Sequence, residues 1–190
     1  MVGVAMLVVG ISGSPRKGGN TDLLLDAALQ GAQSQGAEVK KFYLAEALCS
    51  GCLDCGQCLT SGHCHLQDEI TEIYQTLEQA AAVILASPVY FENVTSWMKT
   101  FIDRGQPYWH QDKRALLTKP GLFISVAARL STDFTSIEKT VRVFFLSLGI
   151  KPEPSLLFAG FEEQASILDD PSALEQARAA GIQLVGRKLH

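Results

Sequence analysis

No apolar run in these 190 residues is long enough to cross a bilayer as a helix. The first eleven residues are apolar, yet no positively charged segment precedes them and no small-residue cleavage pattern follows. They read as a buried strand rather than a signal peptide. Basic charge is also short: 16 Lys and Arg stand against 20 Asp and Glu, a net charge of −4 with no basic stripe. That excludes the electrostatic footprint of a nucleic-acid binder. There is no internal repeat, no low-complexity tract and no linker, so a single α/β domain over 1–190 is expected. The Gly-Lys-[Ser/Thr] tripeptide of a Walker loop is missing, and Gly10 and Gly13 lie too far apart for the dinucleotide fingerprint G-x-G-x-x-G. Disulfide-framework spacing is missing too. The five cysteines are odd in number and all fall between positions 49 and 64. In a chain expected to be cytoplasmic, that pattern points to metal or redox chemistry.

What is present begins with Val4 to Leu25, VAMLVVGISGSPRKGGNTDLLL. An apolar strand runs into a glycine- and serine-rich loop, and the loop opens onto a leucine-rich helix. The loop offers the hydroxyls of Ser12 and Ser14, the charge of Arg16, and backbone N–H groups left bare by small residues. A helix N-terminus adds unpaired N–H groups and a favourable dipole. A phosphate monoester suits this arrangement.

Further along, strand and helix patterns alternate. Helix 1 is expected from about Asn20 to Gln35, capped by Asn20 or Thr21 and stopped by Gly36, with Leu25, Leu29 and Ala32 on one face. Strands are expected at 37–44, 81–86, 120–127 and 155–161. Helices are expected from Asp68 to about Gln79, about Thr95 to Arg104, about Thr135 to Leu148, and from Asp170-Pro171 onward. Between them, 105–119 reads as a polar connection whose Tyr108 and Trp109 suit a subunit interface. Five strand–helix alternations predict a three-layer parallel sheet with right-handed crossovers.

Two stretches carry further chemistry. Cys49, Cys52, Cys55, Cys58 and Cys64 crowd into a loop at about 48–65, after strand 2. Thiolates are soft ligands for zinc or an iron–sulfur cluster. Two registers compete: a regular series from Cys49 to Cys58, or a triplet from Cys52 closed by Cys64. His63 and His65 are further zinc-ligand candidates in that loop. After strand 3 come Ser87, Pro88, Val89, Tyr90 and Phe91, at the carboxyl end of a central strand, where open α/β sheets bind ligands.

Taken in order, Gly-Ser-Pro-Arg-x-x-Gly-Asn-Thr at 13–21, the cysteine loop, Ser-Pro-Val-Tyr-Phe at 87–91 and Lys99-x-Phe-Ile-Asp-Arg104 resemble the iron–sulfur flavoproteins. These belong to the NADPH-dependent FMN reductase group of flavodoxin-like proteins. The resemblance implies a flavodoxin-like three-layer sandwich with a five-stranded sheet in the order 2-1-3-4-5. It implies FMN, with its phosphate on Ser12, Ser14, Pro15, Arg16, Asn20 and Thr21 and its ring against 87–91. It implies a 4Fe-4S cluster on Cys52, Cys55, Cys58 and Cys64, the set eight residues past Leu44, and leaves Cys49 out. At Ala127-Ala128-Arg129 many relatives carry glycines, and Arg129 becomes the candidate for stabilising charge on reduced flavin. The implied activity is oxidoreduction and electron transfer, with cofactors rather than catalytic side chains doing the redox chemistry. A ferredoxin-like protein or NAD(P)H is the expected donor, and a homodimer or homotetramer the expected assembly. The competing readings are an NAD(P)H-dependent FMN or quinone reductase with a structural or zinc-bound cysteine loop, and a non-catalytic flavodoxin-fold module.

Overall fold

The computed structural model describes residues 6–111 and 118–186. The elements run β1 (Leu7–Ser12), α1 (Asn20–Ser34), β2 (Glu38–Tyr43), α2 (Cys58–Ser61), α3 (Glu69–Gln79), β3 (Ala82–Pro88) and α4 (Ser96–Asp103). They continue with α5 (Gln106–His110), β4 (Lys119–Ala127), α6 (Thr135–Ser147), β5 (Ile150–Pro152), β6 (Leu156–Ala159) and α7 (Pro171–Gly186), with a 3₁₀ turn at Ser166–Asp169 before α7.

All strand pairs are parallel, as the alternation of elements predicts, and their order is β2-β1-β3-β4-β5, as the family resemblance implies. The strand expected at 155–161 is present as β6, and an unexpected short strand, β5, precedes it on the same side of β4, so the sheet has six strands rather than five. Ile150–Pro152 pairs with the start of β4, and Leu156–Ala159 with its end. Pro152 and Pro154 flank the break; neither has an N–H for a ladder, so one edge position is filled by two short segments.

Because parallel strands are buried on both faces, their side chains alternate between two cores. Val9, Ile11, Val83, Leu85 and Phe123 face a cluster completed by α3, α4 and α6. Val8, Ala82, Ile84, Leu122, Ile124 and Val126 face a cluster completed by α1 and α7. In the first, Tyr74 stacks on Phe101 with ring centres 4.8 Å apart and donates its hydroxyl hydrogen to the Phe101 carbonyl at 2.7 Å. In the second, α1 and α7 approach backbone to backbone. A Cβ on Gly31 would overlap the Arg178 carbonyl, and one on Gly181 the Ala28 carbonyl, so only glycine fits at either place.

Local readings shift in two places. The N-cap of α1 is Gly19, with no side-chain cap, rather than Asn20 or Thr21. The 105–119 connection contains a helical turn, α5, begun by Pro107 in its first turn; residues 112–117 of it lie outside the described residues. Asp68 caps α3 as expected, its carboxylate accepting from the Thr71 N–H. No helix among the described residues is long and apolar enough to cross a membrane.

Candidate functional site

The loop after β1 is shaped by its own side chains. Ser14 Oγ accepts from the Arg16 N–H at 3.1 Å and donates to the Arg16 carbonyl at 3.2 Å, closing a tight turn. Gly18 follows at φ +66, a conformation that favours glycine. Its N–H is held at 2.9 Å by Asp22 in the first turn of α1. Asp22 is buried and ion-paired to Lys41 of β2 at 2.7 Å, and Lys41 also reaches Asp26 at 2.6 Å. Burial alone would lower the Lys41 pKa, but its hydrogen bonds to the two carboxylates outweigh that and raise it. The acid beside the loop is therefore paired, and does not oppose an anion there.

With no side chain on Gly19, the first N–H groups of α1 are left for a ligand. Beside them, Ser12 Oγ is buried without a hydrogen-bond partner among the described residues. The loop and the start of α1, though not Ser12, border a cleft of about 250 Å³. Eight of the residues singled out for a flavin line it: Ser14, Pro15, Arg16, Asn20, Thr21, Pro88, Val89 and Tyr90. Four do not. Ser12 and Ser87 are buried behind it, Ser87 Oγ accepting from the Thr95 N–H at 3.1 Å and donating to the Pro88 carbonyl at 3.0 Å. Phe91 is fully exposed at a tight turn in which Phe91 and Glu92 both take positive φ, closed by paired Tyr90–Asn93 backbone hydrogen bonds. Such φ values are strained for residues that are not glycine. Arg129 is exposed on the loop past β4, where Ala128 is the residue that reaches the cleft.

The far wall was not legible in the sequence. Phe161, Glu162 and Gln164 complete the cleft from the segment after β6. Asn20 fastens them there. Its amide donates to the carbonyls of Phe161 (3.2 Å) and Glu163 (2.8 Å), and its oxygen accepts from the Ile167 N–H at 3.0 Å. Asn20 therefore lines the cleft but spends its amide on that wall. Contacts across 141 to 147 residues leave no local pattern to read.

The cysteine loop forms a second cavity, of about 150 Å³. Cys52, Cys55, Cys58 and Cys64 all line it, together with His65, Arg104 and His110. Cys49 does not, and packs instead against the apolar cluster of α3, α4 and α6. Partial burial raises the Cys58 thiol, and the neighbouring Cys55, Cys52 and Cys64 raise it further. Cys55 Sγ lies 3.3 Å from His65 Nδ1. No group of three or more His, Cys, Asp or Glu side chains among the described residues is already arranged around a single metal position. The donor set itself is soft and suits zinc or iron–sulfur chemistry. Of the aromatics expected at a subunit interface, Tyr108 stacks on Tyr74 at 5.1 Å and donates to Glu78 at 2.9 Å. Trp109 is nearly half exposed.

Fold and cleft together define a class. Residues 6–164 match the family described as NADPH-dependent FMN reductase. An iron-sulfur flavoprotein of Archaeoglobus fulgidus is 31% identical over 147 residues, 77% of this chain and 74% of the relative. A second from that organism is 49% identical over 106 residues, 56% of this chain and 48% of the relative. One from Methanocaldococcus jannaschii is 40% identical over 102 residues, 54% and 53% of the two chains. The chain spans about half the length of these last two. Among solved structures, NAD(P)H:quinone oxidoreductase from Methanothermobacter marburgensis superposes at a TM-score of 0.74 over 98% of this chain and 100% of the other, at 17% identity. That likeness establishes the flavodoxin-like fold. The chain belongs to the NADPH-dependent FMN reductase family, and within it to the iron–sulfur flavoproteins.

Proposed function

We propose that the chain is a flavin-dependent oxidoreductase that binds FMN in the cleft between the phosphate loop and the 87–91 turn, and a 4Fe-4S cluster in the cysteine cavity. When bound, FMN exchanges electrons in twos or singly and a cluster exchanges them singly. The chain's own part is to bind and to position. The N-terminus of α1 and the Ser14–Arg16 turn would receive the phosphate. Pro88, Val89 and Tyr90 would support the ring, and Cys52, Cys55, Cys58 and Cys64 would hold the cluster. The observation that carries this reading is the sorting of the cysteines: four share one cavity, and Cys49 stands apart.

The two cavities share no lining residue and stand at opposite ends of α4. We therefore also propose a homodimer or homotetramer in which the cysteine loop of one copy serves the flavin of another. The electron donor in this proposal is a ferredoxin-like protein or NAD(P)H. Rapid stoichiometric flavin reduction by NADPH alone would assign the nicotinamide.

The test of the main reading is composition and redox counting of anaerobically purified protein. FMN, iron and acid-labile sulfide should all be present, and stepwise reduction should resolve two centres. A second reading, a flavin or quinone reductase with a zinc-bound or structural cysteine loop, is favoured by the pairing of Cys55 Sγ with His65 Nδ1 at 3.3 Å, sulfur and nitrogen donors of the kind zinc takes. Zinc without labile sulfide would establish it. No uptake of FMN by the protein at micromolar concentration would instead leave a non-catalytic module.

A further inference from the structure

Lys99-x-Phe-Ile-Asp-Arg104 is a motif that neither cavity's ligand set accounts for. Phe101 is core, and Lys99 pairs with Asp103 at the exposed surface of α4. Arg104 is different. It follows the last turn of α4 with its side chain 1% exposed, and it is the only basic side chain among the described residues buried to that degree.

Its bonds are distributed in a particular way. Nη1 donates to the Ser50 carbonyl at 2.9 Å, just before Cys52, and to Asp68 at 2.6 Å. Nη2 donates to the Leu66 carbonyl at 3.3 Å, just after Cys64, and to the other Asp68 oxygen at 3.1 Å. One planar fork thus closes the neck of the loop between residues 50 and 66. A lysine, with a single ammonium, lacks the geometry to do this. Between those points the loop has little apolar anchorage, since Leu53 and Leu59 are exposed. The third nitrogen, Nε, is buried and has no hydrogen-bond partner among the described residues, and the side chain lines the cysteine cavity. A buried guanidinium N–H without a partner is costly, and calls for an acceptor.

We infer that Arg104 is the positioning residue of the cysteine cavity, fixing both ends of the loop so that its four thiols line one cavity and offering Nε–H to the anionic centre that those thiolates would enclose when a metal is bound. This rests on reading the loop as a metal holder. It also gives α4 a purpose. Thr95, its N-cap, donates its hydroxyl to the Gly13 carbonyl at 2.7 Å and its N–H to Ser87 Oγ at 3.1 Å. One helix thereby spans from the floor of the flavin cleft to the neck of the cysteine loop.

The test uses the full chain, reduced and freed of metal, with Cd²⁺ as the probe. Its sulfur-to-metal absorbance counts thiolates whatever the native metal is. Arg104→Met alone would strand the Asp68 carboxylate, so it is paired with Asp68→Asn, which preserves the α3 cap. Wild type should take one Cd²⁺ on four thiolates. The folded double variant should keep its FMN affinity, lose about tenfold or more in Cd²⁺ affinity, and show fewer than four thiolates per metal. Wild-type stoichiometry and affinity in that variant would overturn the inference. Should it fail to fold, Arg104→Lys decides: it keeps the charge pair but not the fork, and wild-type Cd²⁺ binding there is equally fatal. Failure of the wild type to bind Cd²⁺ through four thiolates would sink the metal-holder reading itself, and Arg104's role with it.

Discussion

At the scale of single residues, position 14 is the sharpest probe of the phosphate loop. Ser14 Oγ both accepts from and donates to Arg16, so it shapes the turn as well as lining the cleft. Ser14→Asp would set a carboxylate against the phosphate and should weaken FMN binding by at least about tenfold, roughly 1.4 kcal/mol, read by fluorescence titration. Riboflavin binding should change far less, and an equal loss for both ligands would remove the phosphate from that loop. Asp68 supplies a second probe. Burial pushes its carboxyl pKa up, but the hydrogen bond and charge of Arg104 outweigh this and hold it below the ordinary carboxylate range. The stability it contributes is therefore present above about pH 4, where an unfolded aspartate is ionised, and is lost as the pH falls through the lower folded pKa. The gap in melting temperature between wild type and Asp68→Asn should narrow as the pH drops from about 5 to 3. A constant gap would mean that the ion pair contributes nothing. Individual residues were legible in proportion to how local their work is. Asp68 as a cap follows from three residues of sequence, whereas its bond to Arg104 spans 36 and leaves no trace in the chain. Asn20 shows the same divide, a phosphate-loop residue by motif whose amide is taken up 141 residues away.

Among elements, the α1–α7 crossing controls more than packing. The reciprocal glycines hold α7 in one register, and α7 follows directly on the segment whose Phe161, Glu162 and Gln164 wall the cleft. Gly181→Ala would force the helices apart at the Ala28 carbonyl and should cost about 1–3 kcal/mol, lowering the melting temperature by several degrees. FMN affinity should fall with it, although position 181 is remote from the ligand. Unchanged FMN affinity in the destabilised variant would show that the wall is held by Asn20 alone. Strands 1, 3 and 4 announce themselves as unbroken apolar runs because both their faces are covered. The divided fifth strand was legible only in its second half, within 155–161. Its first half, Ile-Lys-Pro, is too short to show a period, and two prolines next to an edge position read as loop. α5 was hidden for the opposite reason. Five residues cannot display a helical repeat, and the proline that begins the turn also reads as a breaker.

For the whole molecule, the separation of the two cavities makes the proposed assembly testable by mixing. A Cys58→Ser chain should lack the cluster and keep FMN, because the two sites use different loops. A Ser14→Asp chain should do the reverse. If electrons cross between copies, co-assembled hybrids of the two dead chains should recover part of the wild-type electron-transfer rate, up to about a quarter on statistical mixing of a two-fold assembly. Zero recovery in verified hybrids would confine transfer to one chain. Serine at Cys49 should retain both centres, since that thiol lies in the apolar cluster and not in the cavity. The parallel three-layer fold was legible because strand–helix alternation repeats, whereas the order 2-1-3-4-5 came only with the family resemblance. The cysteine register was not legible in the spacing, where Cys49 and Cys64 are equally good fourth members. The family resemblance chose Cys64, and the loop puts Cys64 in the cavity and Cys49 against the apolar cluster.

The position of that loop bears on how the protein comes to be made. None of its four clustered thiols belongs to either apolar core, and its neck is closed by an arginine rather than by metal. The sheet and its helices therefore have no need of metal to form, unlike small domains whose folding energy comes from their ions. On the proposed reading, the chain would fold first and take up flavin and cluster afterwards. Until loading, four exposed or half-exposed thiols stand together in one small cavity, open to pairing as disulfides. Its vulnerable hour is then the interval between folding and delivery, and air in that interval would produce a flavin-bound protein closed to its second centre.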